Sequence, residues 1–304
     1  MDTAEKKQEI YWHLPGLCHL GLLNQVLIMA MEKHPEAFRE GYKIGSVYGT
    51  FPGAIWNGGR TLNGSSTKKE IVRVIEAYNR KGISARFTWT NCLLTKEHTY
   101  DTYCNLIMRL ADNGMNQVLV NSPVLEEYIR EKYPSYRLIS STTKRIVDLK
   151  ELRKELEKDY ELVVLDYDLN DNEEVLKALE PCADRIEILV NEICQPGCRM
   201  REAHYREMSR FQLEFDNDIH FPCPNRLDEK RSFQECMKRP AFVSLEKVEK
   251  YMERGFRNFK IVGRGLPKQF VLDSYLYYLV KDEYREFVNG VIMNAIRQMN
   301  AKPI

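Results

Sequence analysis

Short apolar runs alternate along the chain with longer segments in which apolar residues recur at helical spacing. Each short run is rich in β-branched or aromatic residues and is bounded by polar or turn-forming residues, which is the pattern of a buried strand. Eight such runs predict strands at residues 46–51, 85–90, 117–121, 136–140, 162–167, 185–190, 241–244 and 259–263.

Helical patterns fill most of the intervals between these runs. In residues 68–82 the apolar side chains share one helical face, and Gly82 stands where a helix would end. Leucines repeat at helical spacing in residues 148–159, and Asn170 or Asp171 could cap a further helix. Eight strand–helix units predict an α/β fold of the (β/α)8 type, a TIM-like barrel.

A doubly wound parallel sheet is the alternative architecture. It usually has fewer strands and a phosphate-binding turn after the first one, but residues 49–60 lack the G-x-G-x-x-G spacing of that turn. We therefore predict a single barrel domain over residues 46–304. Residues 1–45 are predicted to form a helical segment packed on it.

The barrel prediction has a functional consequence, because sites in this fold lie at the carboxyl ends of the strands. Polar residues stand at several of these predicted ends. The candidates for substrate binding are Asn91, Asn121, Asn191 and Arg264. Any one of them could be polar only because a loop begins there. The prediction therefore depends on the occurrence of several polar residues around one end of the barrel.

Composition narrows the functional classes only a little. The 304 residues are 43% hydrophobic and 29% charged, with a formal net charge of +1, so there is no general nucleic-acid footprint. The start of the chain lacks the pattern of a signal peptide, and the apolar stretch at residues 20–31 is too short to cross a bilayer. These features predict a cytoplasmic protein with no membrane partner.

Four of the eight cysteines lie within 43 residues. Cys194, Cys198, Cys223 and Cys236 all fall in a predicted insertion at residues 191–240, between the predicted sixth and seventh strands. Four thiolates suit an iron–sulfur cluster or a structural zinc ion. Four reduced thiols without a ligand, and a redox pair of the first two, are the weaker interpretations.

Polar residues beside the first cysteine pair are candidates for catalysis. Glu192 precedes the pair, and Arg201 and His204 follow it. The two basic residues could balance the charge of a thiolate cluster or bind an anionic group of a substrate. The alternative is that they belong to an exposed helix.

Several of these motifs together resemble one family. VYGTFPGAIWNGGR follows the first predicted strand, a cysteine pair follows the sixth, two more cysteines lie in the insertion, and FRNFKIVGR precedes the carboxyl-terminal helices. The set resembles the collagenase-like U32 peptidase family, and most closely its non-proteolytic members of the ubiquinone-biosynthesis and RNA-hydroxylation type. The resemblance implies a [4Fe-4S] cluster held by Cys194, Cys198, Cys223 and Cys236.

The resulting hypothesis is an iron–sulfur enzyme of an anaerobic pathway, with oxygen-independent redox or hydroxylation chemistry on a small organic or nucleoside substrate. A peptidase is the alternative enzyme, although the chain has no G-x-S-x-G or H-E-x-x-H motif. It would use a cysteine paired with His204 or His220. A third alternative is a non-catalytic subunit that carries a cluster and docks on a related barrel protein.

Overall fold

Eight parallel strands close into a barrel in which each strand pairs with the next along the chain and β8 pairs with β1. The computed structural model describes residues 9–59, 62–216, 221–223 and 232–301. The strands are β1 (Ile10–Pro15), β2 (Tyr42–Gly49), β3 (Ser84–Trp89), β4 (Gln117–Val120), β5 (Arg137–Ser140), β6 (Leu162–Val164), β7 (Ile186–Leu189) and β8 (Asn258–Lys260). The predicted TIM-like barrel is confirmed.

Helices cover the outside of the barrel, and short 3-10 turns join several of them to the strands. The α-helices are α1 (Gly21–Lys33), α2 (Lys68–Asn79), α3 (Thr102–Leu110), α4 (Pro123–Lys132), α5 (Leu149–Leu156), α6 (Glu173–Leu179), α7 (Arg201–Glu214), α8 (Phe233–Met237), α9 (Leu245–Glu253), α10 (Lys268–Leu279) and α11 (Arg285–Ala301). Within the described ranges, no helix has both the length and the apolar character needed to cross a membrane.

Local sequence explains where the helices begin. Helix α2 starts with a capping box, in which the Thr67 hydroxyl accepts from the Glu70 N–H while the Glu70 carboxylate accepts from the Thr67 N–H. Its buried residues Ile71, Ile75 and Tyr78 repeat at helical spacing. Side-chain caps also start α4, α5, α6 and α9, at Ser122, Asp148, Asn172 and Ser244. The cap of α6 is therefore Asn172 and neither of the two residues predicted from the sequence.

One predicted strand is wrong and one real strand was missed. Residues 241–244 form no barrel strand, since within them only Phe242 makes an isolated antiparallel bridge, to Asn191. Strand β1 was missed because its run IYWHLP ends in His13, Leu14 and Pro15 and follows a polar start. Residues 185–190 therefore supply the seventh strand, and the cysteine-rich connection joins β7 to β8.

The missed strand also corrects the predicted domain boundary. Residues 10–15 pair with both β2 and β8, so the barrel cannot be closed without them. The division at residue 46 separates parts of one barrel. Residues 1–8 of the predicted N-terminal segment lie outside the described residues, as do residues 217–220 and 224–231 of the predicted insertion at 191–240.

Two kinds of side chain fill the barrel interior. An interior cluster consists of His13, Arg86, Glu187 and Lys260, all buried. Arg86 on β3 forms an ion pair with Glu187 on β7, and because these strands are not neighbours the pair spans the interior. The opposite half is apolar and is built from Leu119, Ile139, Leu162, Val164 and Leu189. The polar half faces the site described next.

Candidate functional site

A cavity of about 360 Å³ opens at the carboxyl ends of the strands. This is the end of the barrel where sites of this fold lie. The walls combine aromatic rings, hydroxyl groups, two thiols and several charged groups. The lining residues are Tyr48, Gly59, Thr90, Leu119, Ser141, Thr142, Thr143, Tyr167, Leu189, Glu192, Ile193, Cys194, Arg201, His204, Tyr205, Phe221, Cys223, Lys260, Val262 and Arg264.

Two cationic side chains share the ring of Tyr48. The Lys260 Nζ lies 4.4 Å from the ring centre and the Arg264 Cζ lies 5.7 Å from it. The phenol itself is fixed, since its hydroxyl donates to the carbonyl oxygen of Ile261 at 2.7 Å. The buried ring attracts both cationic groups through cation–π interactions. This part of the cavity is suited to an anionic group.

Two polar side chains help to hold the guanidinium of Arg264 in place. Its Nη1 donates to the Thr88 hydroxyl at 2.7 Å and to the Asn57 amide oxygen at 3.2 Å. Gly59 packs against the same group, and a Cβ at that position would lie 2.1 Å from Arg264 Nη2. Glycine is therefore needed for this close approach. The arrangement fixes the arginine while keeping it at the cavity wall.

The interior cluster lies directly beneath. The Glu187 carboxylate pairs with Arg86, lies 3.1 Å from Lys260 Nζ and lies 3.4 Å from His13 Nε2. Burial lowers the pKa of Lys260 to about 8, and Arg86 and Arg264 act in the same direction while Glu187 opposes them. Burial and the charge of Arg86 lower the pKa of His13 to about 3, so this imidazole is neutral.

One wall is built by a carboxylate–arginine network. Arg201 Nη1 and Nη2 lie 3.2 and 2.9 Å from the carboxylates of Asp166 and Asp168, and its guanidinium stacks 3.8 Å over the Tyr167 ring. Arg145 pairs with the same two carboxylates and has a φ of 59°. This left-handed conformation is strained for arginine, and the paired aspartates hold it.

The same network positions the turn that carries the first cysteine pair. Asp168 accepts a hydrogen bond from the Gly197 N–H at 3.0 Å, and Arg201 donates to the carbonyl oxygen of Gln195 at 2.8 Å. Glu192 accepts from the N–H groups of Ile193 and Cys194. Arg201 and Glu192 therefore line the cavity and also shape the loop between β7 and α7.

His204 meets the cavity from α7. Its ring stacks on Phe221, with centroids 4.6 Å apart and planes within 6°. Together with Tyr205 and Tyr167 these rings make an aromatic side of the cavity. The structure therefore brings Glu192, Arg201 and His204, the three predicted catalytic candidates, to one cavity. His220, the other histidine considered for a thiol pair, lies outside the described residues.

The four predicted ligand cysteines lie in the same connection but are held differently. Cys194 and Cys223 line the cavity, and Cys198 lies in the turn before α7. Cys236 is buried on α8, and its thiol donates to the carbonyl oxygen of Asn191 at 3.3 Å. Burial raises the pKa of the Cys236 thiol to about 12, with the charge of Glu192 adding to the effect.

The thiols as placed do not form the ligand set of a [4Fe-4S] cluster or of a zinc ion. Among the residues that the structure describes, no three His, Cys, Asp or Glu side chains are grouped so that they could hold one metal ion. A structural zinc site needs four such groups around one centre.

The three asparagines predicted to bind substrate do not line the cavity, whereas Arg264 does. The Asn91 amide donates to the carbonyl oxygens of Ile55 and Ser209, and the Asn191 amide donates to that of Val262 and accepts from its N–H. Both are fully buried and tie loops together instead of lining the cavity. Asn121 stands behind the wall, where it donates to the Thr143 hydroxyl at 2.8 Å.

Several lining residues were not found from the sequence. Lys260 and Tyr48 are the most important, because they carry the cationic face of the cavity. The signal for Lys260 was present in residues 258–264, where alternation places Asn258, Lys260 and Val262 on one face of a strand. No comparable signal marks Tyr167, whose place depends on the closure of the barrel.

Comparisons with known proteins add the fold and little else. No protein-family model matches the chain, and no curated protein matches it. The solved structure of the U32 peptidase Mk0906 is similar, with a TM-score of 0.52 and 16% sequence identity over 88% of this chain and 97% of that one. At this identity the likeness shows a shared barrel fold, in agreement with the observed topology.

Proposed function

We propose that this protein is an enzyme of the U32-like barrel group and that it acts on a small organic anion held in the mouth cavity. One observation carries the proposal. Arg264 and Lys260 both lie against the fixed Tyr48 ring and line a cavity at the carboxyl end of a closed barrel. A guanidinium and an amine that line one cavity attract a negatively charged ligand.

The size and lining of the cavity support a small ligand. A volume of about 360 Å³ falls within the usual range for small-molecule sites. Arg264 can bind a carboxylate or a phosphate through two parallel N–H groups. The rings of Tyr167, His204 and Phe221 offer an apolar side for the planar part of such a molecule. An aromatic carboxylate and a nucleoside monophosphate both have this combination of parts.

Calorimetric titration with salicylate and with uridine 5′-monophosphate tests the proposal. The Arg264→Lys variant keeps the charge but loses the two-pronged geometry, so we expect Kd for the ligand that binds to rise about tenfold or more. The matched control is Arg254→Lys, because Arg254 forms ion pairs with Glu173 and Glu180 on the outside of the barrel. Unchanged binding in Arg264→Lys would show that Arg264 only closes the barrel.

A peptidase is the second candidate, and the fold likeness to a structure described as a U32 peptidase favours it. Two thiols, Cys194 and Cys223, line the cavity and could serve as nucleophiles. Hydrolysis of gelatin by the purified protein, lost in either Cys194→Ser or Cys223→Ser but not in Cys104→Ser, would support it. Cys104 is buried in α3 and is a suitable control.

Iron–sulfur chemistry is a finer proposal that rests on the sequence resemblance. Its support is that all four candidate cysteines follow β7 and that two of them line the cavity. Protein purified without oxygen should then be brown and contain about four iron and four sulfide per chain. Serine at position 194, 198, 223 or 236 should lower the iron content, whereas serine at 18, 92 or 104 should not. Colourless protein without iron would end this proposal.

A further inference from the structure

We propose that Lys260 is a catalytic amine that forms an imine with the carbonyl carbon of a 2-oxo acid bound in the mouth cavity. The inference deepens the proposed function and rests on it, because it requires that small organic anions enter the cavity. It names a substrate class, a nucleophile and a reaction type for that site.

The first support is the position of the amine. Lys260 ends strand β8, and its side chain is 6% exposed while still lining the cavity. The Nζ lies against the Tyr48 ring and 3.1 Å from the Glu187 carboxylate. An amine that is buried yet open to a cavity is shielded from bulk water and can reach a bound molecule.

The second support is the charge balance of the interior cluster. Arg86 and Lys260 share Glu187, and His13 is neutral, so within this cluster two cations face one carboxylate. Arginine cannot lose its proton in a protein, whereas lysine can. Arg86 alone balances Glu187, so Lys260 can become neutral without leaving the carboxylate unpaired. Burial and the charges of Arg86 and Arg264 favour that neutral form.

The third support is the neighbour that would hold the substrate. Arg264 lies beside the same Tyr48 ring and suits a carboxylate. In a 2-oxo acid the carbonyl carbon is bonded directly to the carboxylate carbon. A carboxylate on Arg264 would therefore hold the carbonyl group in the cavity that Lys260 also lines. No other lysine of the described residues lines this cavity.

The chemistry balances without an oxidant or a reductant. The neutral Nζ attacks the carbonyl carbon, a C–N bond forms, and the C–O double bond becomes a single bond in a carbinolamine. Loss of the oxygen as water gives the imine, and the two amine hydrogens leave with that water. The Glu187 carboxylate lies 3.1 Å from Nζ and stabilises the positive charge that forms on this nitrogen in the carbinolamine and in the protonated imine. Protonation of the imine then draws electrons from a bond to the neighbouring carbon and prepares it to break.

Reductive trapping tests the inference. Pyruvate and phenylpyruvate are each incubated with the protein and sodium cyanoborohydride, and the adduct is located by peptide mass mapping. We expect one adduct per chain at Lys260, and none there in Lys260→Met with the fold checked by circular dichroism. Lys144 is the internal control, because it is also an ion-paired lysine, with a side chain 13% exposed, but does not line the cavity. Equal labelling of Lys144 or of surface lysines would overturn the assignment.

Binding of lactate separates this inference from the proposed function. Lactate has the carboxylate of pyruvate but no carbonyl carbon to attack. If lactate and pyruvate bind in an Arg264-dependent way and no adduct forms, the imine falls and the anion site stands. If the adduct forms in wild type and weakens in Arg264→Lys, both stand. If neither acid binds or reacts, both proposals fail.

Discussion

Two ion-paired lysines in this barrel have opposite surroundings. Lys260 lies in the interior cluster and shares one carboxylate, that of Glu187, with Arg86. Lys144 lies outside the barrel wall in what we name the outer cluster, formed by Glu126, Lys144, Glu155 and Tyr160. Its Nζ lies 2.6 Å from Glu155, 3.4 Å from Glu126 and 2.7 Å from the Tyr160 hydroxyl.

The difference shows that burial alone does not decide what a lysine can do. In the outer cluster two carboxylates contact the single amine of Lys144, so negative charge is in excess there. Burial opposes the charge of Glu155, but hydrogen bonds from Lys144, Lys158 and Ser140 lower its pKa to about 2. In the interior cluster the positive charge is in excess. The amine that can lose its proton is the one at the cavity.

Replacing the shared carboxylate should have the largest effect on stability. Glu187→Gln removes the charge partner of Arg86, which is 0% exposed and cannot be neutralised. We expect the free energy of unfolding to fall by about 3–5 kcal/mol, because breaking a buried pair leaves an uncompensated charge. Urea denaturation followed by circular dichroism measures it.

Glu155→Gln is the matched change in the outer cluster. Lys144 keeps Glu126 and Tyr160 as partners there, so the loss should be smaller, about 1–2 kcal/mol. Equal losses in the two variants would contradict the contrast in charge balance.

The pH dependence of stability sharpens the comparison. The pKa of Lys260 is about 8 in the folded protein and about 10.4 in an unfolded chain. Below pH 8 both states hold the proton. Between pH 8 and pH 10.4 the unfolded state holds more protons, so stability rises with pH. Relative to Lys260→Met, the wild type should gain about 3 kcal/mol across this window.

The measurement is the difference between the two denaturation curves at each pH, so that titration of the many tyrosines cancels. A flat difference would mean that Lys260 stays charged and acts only as an ion-pair partner. That result would also remove the neutral amine that the imine requires.

Replacing each lysine by methionine is a second test of the difference between the two clusters. Lys144→Met leaves Glu126 and Glu155 without their shared amine, and we expect a loss of about 2 kcal/mol in the free energy of unfolding. Lys260→Met removes the excess cation while Arg86 still compensates Glu187, so its cost at neutral pH should stay below about 1 kcal/mol. Thermal unfolding of both variants at pH 7 gives the order. A larger loss in Lys260→Met would contradict it.

The barrel itself could be predicted because its signals are local. Seven of the eight strands fall on short apolar runs, since a strand buried on both faces reads as continuous hydrophobicity. The two errors, at residues 241–244 and at β1, arise because strand pairing depends on contacts that are distant in sequence. Residues 241–244 resemble a strand in composition, but a segment becomes a barrel strand only if it pairs with neighbouring strands. Here Phe242 makes only an isolated bridge to Asn191. His13 interrupts the apolar run of β1 because its partners come from β2, β3, β7 and β8.

The site was predictable in location more than in detail. The rule that sites follow strand ends correctly placed Arg264 and Glu192 at the cavity. It could not show that the Asn191 side chain is hydrogen-bonded to the backbone of Val262. Nor could it show that Arg201 forms ion pairs with Asp166 and Asp168. Those contacts join segments far apart in sequence, and no spacing along the chain records them.

The smallest expected effect concerns the glycine that lets Arg264 approach the ring. In Gly59→Ala the new Cβ would lie 2.1 Å from Arg264 Nη2, so the guanidinium must move. Because the clash is with the end of a flexible side chain, the stability should change by less than about 1 kcal/mol.

Moving the guanidinium away from Thr88 and Tyr48 should weaken binding of pyruvate or salicylate about tenfold, which is about 1.4 kcal/mol. Gly290→Ala is the control, since a Cβ there meets nothing within 4 Å. Unchanged Kd in Gly59→Ala, measured by calorimetry, would mean that the position of Arg264 does not set the affinity, and the cationic face of the cavity would then depend on Lys260 alone.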